Sequence, residues 1–140
     1  MREIKYRGLE VLTGDWVHGS HVKTGAGMHY ILPQNLIAGS VQYHVDKETV
    51  GQYTGLKDKK GNDVIDADVV KWTRFSYTDC SRKEIHETVE IVGRIYWHET
   101  MWAVKTANGA GYLLMPYYLE TDELEVIGNI HENPEFLEVE

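Results

Sequence analysis

The clearest alternation of apolar and polar residues lies in the segment Ile85–Trp97. Odd positions there are apolar or glycine, apart from Glu87, and even positions are polar or amphipathic, apart from Val92. A period of two is typical of a strand with one buried face, so the segment predicts a single long strand. Gly93 indicates a bulge or bend that divides it. The residues 101–105 are the predicted partner strand.

Polar and glycine-containing segments divide the following and preceding regions into further strands. Asn108–Gly109 predicts a type I′ turn, because both central residues of that turn have positive φ. Asp58–Asn62 predicts a polar loop between strands at 52–54 and 69–72, and Thr78–Arg82 predicts a turn before the long strand. The pattern favours an all-β, barrel-like domain.

The N-terminal region is less regular. Gly14–Gly19 predicts a turn that enters a strand, and Tyr30–Pro33 predicts a strand that its proline ends. The glycine-containing segment 25–44 is otherwise unassigned. We therefore expect a single domain over 1–140, with N-terminal strands and a variable loop in 1–48 and a barrel-like core in 49–140.

The C-terminal quarter carries the whole net charge. Residues 1–105 hold 14 basic and 14 acidic side chains, whereas the rest of the chain has eight acids and no lysine or arginine, which gives −8 overall. Apolar residues interrupt these acids, and Glu125–Ile130 predicts a strand. Asn133–Glu135 predicts the cap and first turn of a short helix, whose Phe136 and Leu137 close one end of the barrel. We expect this end to belong to the folded domain.

Composition narrows the class of protein. Apolar residues make up 42% of the chain, enough for a core, and no apolar run reaches the length of a membrane span. The charged start, Met1–Arg7, does not resemble a signal peptide, and a single cysteine suits a reducing compartment. These features favour a cytoplasmic protein. The acidic end disfavours sequence-independent nucleic-acid binding.

The histidines favour a structural role over metal binding. His18 and His21 form an H-x-x-H motif with His29 nearby, but residues three apart on a strand point to opposite faces. No cysteine pair or neighbouring acid completes a set of four ligands. We expect no metal, no cofactor and no catalytic residues.

The aspartates and the cysteine also favour a structural role. Asp63, Asp66 and Asp68 lack the frame of a calcium loop and predict a solvated turn whose carboxylates cap backbone N–H groups. Cys80 lies among polar residues and predicts a free thiol in a turn, because no base is positioned beside it by the sequence.

Basic and aromatic side chains are the remaining candidates for contact with a partner. The lysines around the 58–62 loop predict solvated charge, and most aromatic residues predict core or cross-strand packing. Aromatic residues on strands also hold peptides or stack on bases. The candidate partner-binding residues are therefore Lys57, Lys59, Lys60, Trp72, Tyr117 and Tyr118.

Several blocks resemble the YopX-like proteins of phages and prophages. The most specific is Glu48–Asn62, which is followed by Asp66–Val70. Met1–Gly8, Gly14–Gly19 and Leu124–Glu135 also resemble the family pattern, in the same order along the chain. Together the blocks cover about half of the chain, which is identified on them as a member of that family.

The resemblance implies a β-rich fold of SH3-like barrel character and a phage or prophage origin. It implies no established activity, so no catalytic residues are carried over. Two positions depart from the pattern: Ala67 stands where the family usually has glycine, and His18 stands where it often has an aromatic residue. The segments 25–44 and 72–83 match no family block.

Two functions remain open. The first is a non-enzymatic binding or assembly module of a phage or prophage, which acts in the bacterial cytoplasm on a protein partner or on a second copy. In that case Tyr112–Leu119 is apolar enough to lie at an interface between copies. The second is an accessory factor for phage nucleic acid, with a local basic face built from Lys57, Lys59, Lys60, Lys71 and Arg74.

Overall fold

A computed structural model describes residues 4–33, 41–77, 80–81, 83–114 and 122–137, with the side chain of Tyr77 left undescribed. These residues form eleven strands and two short 3-10 helices, Lys47–Thr49 and Pro134–Leu137. The strands are β1 (Tyr6–Leu9), β2 (Trp16–Lys23), β3 (His29–Leu32), β4 (Tyr43–His44), β5 (Gly51–Lys57), β6 (Asp63–Ile65), β7 (Asp68–Tyr77), β8 (Ile85–His98), β9 (Met101–Thr106), β10 (Gly111–Leu113) and β11 (Glu123–Asn129).

The chain forms two compact units, Met1–Gly55 and Leu56–Glu140. In the first unit, five strands form an antiparallel sheet in the order β4-β3-β2-β1-β5. Ile31, Val45 and Tyr53 are its buried apolar residues. Both sequence predictions for this region are confirmed, because β2 begins directly after the turn at Gly14 and β3 ends before Pro33.

In the second unit, the end of β5 is followed by β6, and the remaining strands form a five-stranded antiparallel sheet in the order β10-β9-β8-β7-β11. One cluster of buried apolar side chains lies on this sheet. Its members are Val64, Val70, Trp72, Ile91, Ile95, Val104, Leu114 and Leu124. β6 is not predicted from the sequence, because the aspartates around it predict a turn.

The long strand predicted from the alternating pattern is β8, and its predicted partner strand is β9. Gly93 is not a bulge, since the register with β7 runs through it without a shift and it is the last residue that pairs with β9. A Cβ atom at this position would lie 2.6 Å from the carbonyl oxygen of Lys105. The glycine is therefore required by the close approach of β9 and not by a bend.

The turn predicted at Asn108–Gly109 is present but is not type I′. Gly109 has φ of 90°, whereas Asn108 does not have positive φ. Gly109 N–H donates to Thr106 O (3.0 Å), and Thr106 N–H donates to Ala110 O (2.9 Å). This is a three-residue hairpin loop with a left-handed glycine.

The acidic end belongs to the folded unit, as the sequence predicts. β11 pairs along β7 from Asn129 to Glu123, with a register irregularity between Val126 and Gly128. The predicted terminal helix is the 3-10 helix Pro134–Leu137. The Asn133 side chain accepts from Asn129 N–H (3.3 Å). Phe136 is 42% exposed, so the prediction that its side chain closes a barrel end is wrong.

The all-β fold class is confirmed, and the helix in the described residues is confined to short pieces. Within the described ranges neither sheet closes on itself, because β4 lies at an edge of the first sheet and β10 and β11 lie at the edges of the second. The described strands therefore form antiparallel open sheets, and the SH3-like form of the fold stays a prediction.

Candidate binding surface

The three lysines predicted to contact a partner are all paired with carboxylates. Lys57 Nζ lies 2.7 Å from Asp63 Oδ1, and Lys60 Nζ lies 2.9 Å from Glu125 Oε1. Lys59 Nζ lies 3.4 Å from a Glu123 oxygen and 3.6 Å from a Glu125 oxygen. Acids of β6 and β11 thus neutralise the densest group of lysines in the sequence.

The two remaining cations of the predicted basic face are also paired. Lys71 Nζ lies 3.4 Å from Glu90 Oε1 across β7 and β8. Arg74 Nε lies 3.4 Å from Asp122 Oδ2, and its guanidinium stacks on the Trp72 ring at 5.0 Å. A phosphate backbone would therefore have to displace a carboxylate at each of these positions.

Trp72 is a core residue and not a contact residue. Its side chain is fully buried, and its Nε1–H donates to Asp122 Oδ2 at 3.1 Å. The prediction of Trp72 as a partner-binding residue is therefore wrong. The alternative prediction, that aromatic residues on strands pack in the core, is correct for Trp72. The other two aromatic candidates, Tyr117 and Tyr118, lie outside the described residues.

Asp58 organises the loop that the lysines surround. Its Oδ1 accepts from the N–H groups of Lys60 (3.0 Å) and Asn62 (2.8 Å), and its Oδ2 accepts from Val126 N–H at 3.0 Å. Burial raises the pKa of this carboxyl, but the backbone donors of Val126, Asn62 and Lys60 together hold the pKa below its ordinary value. The loop is thus fastened to β11 by a buried carboxylate.

One of the aspartates after this loop, Asp68, acts as a capping group. Asp68 Oδ2 accepts from Ile65 N–H at 2.8 Å, which confirms the predicted capping role. Asp68 is, however, buried and not solvated. Between Ile65 and Asp68, Ala67 has φ of 71°, a conformation that glycine adopts readily and L-residues rarely adopt. The turn is therefore made by alanine where the family pattern has glycine.

His21 and His29 are brought together by the pairing of β2 with β3. His21 Nε2 and His29 Nδ1 lie 2.8 Å apart and share a hydrogen bond. Burial lowers the pKa of His21, and the neighbouring His29 lowers it further. Within the described part of the chain, no three His, Cys, Asp or Glu side chains group as metal ligands do.

Cys80 is exposed.

The most open part of the second unit is the far end of the β7–β8 pair. β9 pairs with β8 only from Gly93 to His98, and β11 pairs with β7 only as far as Thr73. The remaining residues of the two strands, 74–77 and 85–92, are here called the arm. Among the described strands, the arm has no neighbour on either side.

The backbone of the arm offers hydrogen-bonding groups on the β8 side. Ile95 C=O accepts from Ala67 N–H (3.0 Å), so its backbone groups point towards β7. Successive residues of a strand point these groups to opposite sides. Those of Thr88, Glu90 and Val92 therefore point away from β7, past the end of β9. We call this side of residues 85–92 the free edge.

Apolar side chains of the arm are exposed. Ile85 is 53% exposed and Val89 is 45% exposed, and Val92 is also exposed. A shallow groove of about 260 Å³ lies beside them, lined in part by Phe75, Val89 and Tyr112. The alternating pattern predicts a buried face along the whole of β8, and this is wrong for Ile85 and Val89, although Ile91 near the end of the arm is buried.

Sequence reasoning missed the free edge because it followed which side chains alternate and not where each neighbouring strand ends. One signal was available: the predicted partner strand, 101–105, is much shorter than 85–97, so part of the long strand had to extend beyond it. Pairing the two predicted strands residue by residue would have located the free edge.

Comparisons with other proteins agree with the resemblance in the sequence. In the described part of the chain, no helix combines the length and apolar character needed to cross a membrane. No curated protein matches the chain. The family model described as YopX protein matches residues 5–138, nearly the whole chain. On that match, the chain belongs to the YopX protein family.

Proposed function

We propose that this chain is a phage-type assembly module that acts in the bacterial cytoplasm by adding a protein strand to the free edge of β8. The observation that carries the proposal is the free edge itself, eight residues long between Ile85 and Val92. An exposed strand edge is a template for pairing with another extended chain.

The side chains on the arm support a protein partner. Ile85, Val89 and Val92 are apolar and exposed, so a strand laid beside them would remove apolar surface from water. Each backbone hydrogen bond that forms contributes about 1 kcal/mol net. Pairing and burial together favour an extended polypeptide as the occupant.

The proposal assigns the chain a binding role and not a catalytic one. The groups that the free edge offers are backbone amides, carbonyls and apolar side chains, which hold a strand but supply no nucleophile or general base. The charged residues of the β8 part of the arm, Glu87 and Glu90, are acidic.

A role in binding phage nucleic acid is the weaker candidate. It depended on Lys57, Lys59, Lys60, Lys71 and Arg74 as a basic face, and each of them has a carboxylate oxygen within 4 Å. Paired cations release few counterions on binding, so their contribution to phosphate affinity is small.

Photo-crosslinking in host cells tests the proposal. A photoreactive amino acid replaces Val89 in the arm, and as a matched control it replaces Val22 on β2, since both valines are 45% exposed. We expect crosslinks at position 89 that map to one extended segment of a protein, and none of these at position 22.

A second variant separates strand pairing from general stickiness. Thr88→Pro removes an N–H that points away from β7, so the pairing of β8 with β7 is kept and that with a new strand is lost. Crosslinking at position 89 should disappear in this background while the thermal unfolding curve is retained. Crosslinks that persist in Thr88→Pro, or that occur equally at position 22, would contradict the proposal.

A further inference from the structure

We infer that the strand occupying the free edge is β8 of a second copy, paired antiparallel about a two-fold axis through Val89. This inference rests on the proposed function and names the occupant of the same edge. A two-fold arrangement covers the free edges of both copies at once, because the same surface is used by each.

The regular part of the β7–β8 ladder limits the possible registers. Pairing is continuous from Arg94 to Glu87, and the register then shifts between Ser76 and Tyr77, which leaves His86 without a partner in β7. Residues that pair with a second copy in regular geometry therefore come from 87–92. The backbone groups available there are those of Thr88, Glu90 and Val92, as derived above.

A two-fold axis at Val89 satisfies this backbone pattern. Thr88 of one copy then meets Glu90 of the other, so outward-pointing backbone groups face each other on both sides of the axis. Glu87 meets Ile91, and the two Val89 side chains, each 45% exposed in one copy, meet each other. No like charges lie directly opposite.

Neighbouring positions of the axis are less favourable. An axis at Glu87 places two Glu87 side chains opposite each other, and an axis at Glu90 does the same for Glu90. An axis at Thr88 pairs Glu90 with His86, the residue outside the regular ladder. An axis at Val89 sets no two glutamates opposite each other and pairs both Thr88 and Glu90 within the regular ladder, leaving only Val92 opposite His86.

The lengths of the strands also fit a second copy. β9 ends opposite Gly93, which marks one end of the free edge. With the axis at Val89, the regular pairs run from Glu87 to Ile91 of each copy and stop short of Gly93, which Thr106 of β9 already faces. The regular part of the incoming strand therefore lies beside β8, on the side that β9 occupies further along, without overlapping β9.

Disulfide trapping tests the register. In a Cys80→Ser background, which removes the native exposed thiol, Val89→Cys places two thiols on the axis at a separation suited to a disulfide. We expect Val89→Cys to form a covalent dimer on mild oxidation at least tenfold faster than the matched variant Val22→Cys. Glu87→Cys, two residues from the axis, should react slowly.

Sedimentation of the protein with native Val89 gives an independent measurement. We expect a concentration-dependent dimer of the 16.1 kDa chain, and its loss in Thr88→Pro. A monomer at all concentrations would overturn the inference. A dimer in which Val89→Cys crosslinks no faster than Val22→Cys would overturn it as well, since the copies would then meet elsewhere.

The two proposals fail in different ways. If the chain is a monomer but the photoreactive residue at position 89 captures a strand of another protein in a Thr88→Pro-sensitive manner, the proposed function holds and the second-copy inference is wrong. If position 89 captures neither a second copy nor another protein, both are wrong.

Discussion

The two halves of β8 have similar sequences but opposite surroundings. Ile95, in the half that pairs with β9, is fully buried, while Ile85 and Val89 in the arm are exposed. The alternating pattern is the same in both. The difference is that β9 pairs with β8 from Gly93 to His98, here called the flanked half, and stops before the arm. Alternation thus reports a strand with an apolar face, but the neighbouring strands decide whether that face is core or binding surface.

Removing β11 should have the largest effect on the flanked half. Truncation after Thr121 deletes the buried side chain of Leu124. It also deletes two hydrogen bonds, one from Trp72 Nε1–H to the Asp122 carboxylate and one from Val126 N–H to the Asp58 carboxylate. Burial of a leucine side chain contributes about 1.5–3 kcal/mol, and domains are stable by about 5–15 kcal/mol. We expect a product with no cooperative unfolding transition by circular dichroism.

The control for this truncation ends the chain after Leu137 and keeps β11 and the 3-10 helix. It should melt within a few degrees of the full chain. If the Thr121 truncation also melts cooperatively near the full-length temperature, β11 does not support the flanked half and the comparison loses its physical basis.

Alanine substitutions compare the two halves directly. Ile95 is fully buried, so Ile95→Ala should lower the free energy of unfolding by about 2–5 kcal/mol through lost burial and a residual cavity. Ile85 is 53% exposed, so Ile85→Ala should lower it by less than about 1 kcal/mol. Urea denaturation of both variants measures the difference.

Both alanine variants are best measured in the Thr88→Pro background, in which a strand on the free edge is absent. A cost for Ile85→Ala equal to that for Ile95→Ala in this background would show that the arm is covered within a single copy. The arm would then not be available for binding.

The sequence predicts most of the strands, because alternation and turn residues are local properties. It predicts β8, β9 and the strand nature of β11, and it predicts that the acidic end is folded. It does not predict the pairing of each lysine with an acid of β11 or β6, since Lys60 and Glu125 are far apart in the chain. Gly93 and Asn108 show a second limit of sequence-based prediction. Gly93 is required by the close approach of β9 and not by a bulge, and Asn108 lies in a turn of a different type from the one predicted.

The candidate site was less accessible to sequence reasoning than the fold. Trp72 was a candidate because aromatic residues serve both cores and binding surfaces, and only its burial separates the two. The free edge depends on where β9 ends, which is a property of two strands together. Side-chain identity alone carries neither kind of information.

Asp58 provides a third test, of the clamp that fastens the 58–62 loop to β11. Asp58→Asn should lower the free energy of unfolding at neutral pH by about 1.5–3 kcal/mol, because hydrogen bonds to a charged acceptor are lost. The folded-state pKa of Asp58 is lowered, so its stabilisation is present above the ordinary value of 3.8 and is lost as pH falls through the folded-state pKa. The difference in free energy of unfolding between the parent protein and Asp58→Asn should therefore become smaller in acid.

The matched control lies in the arm. Glu87→Gln removes an exposed carboxylate from the free edge and should change the free energy of unfolding by less than about 0.5 kcal/mol. Urea titrations of the three proteins across the acid range give both comparisons. A gap between Asp58→Asn and the parent that is constant down to the lowest pH would mean that the charge on Asp58 does not hold the clamp.

The smallest expected effect concerns Ala67, which joins the flanked half to β11. Its N–H donates to Ile95 O and its C=O accepts from Ile130 N–H, both at 3.0 Å, while its φ of 71° strains an L-residue. A left-handed conformation costs alanine about 1–2 kcal/mol, and glycine loses about 0.5–1 kcal/mol more conformational free energy on folding. Ala67→Gly should therefore stabilise the protein by about 0.5 kcal/mol and raise Tm by about 2 °C. Ala103→Gly is the control, since Ala103 is buried in β9 without positive φ and its replacement should lower Tm. A lower Tm for Ala67→Gly would mean that the methyl group, 7% exposed, contributes more through packing than its backbone conformation costs.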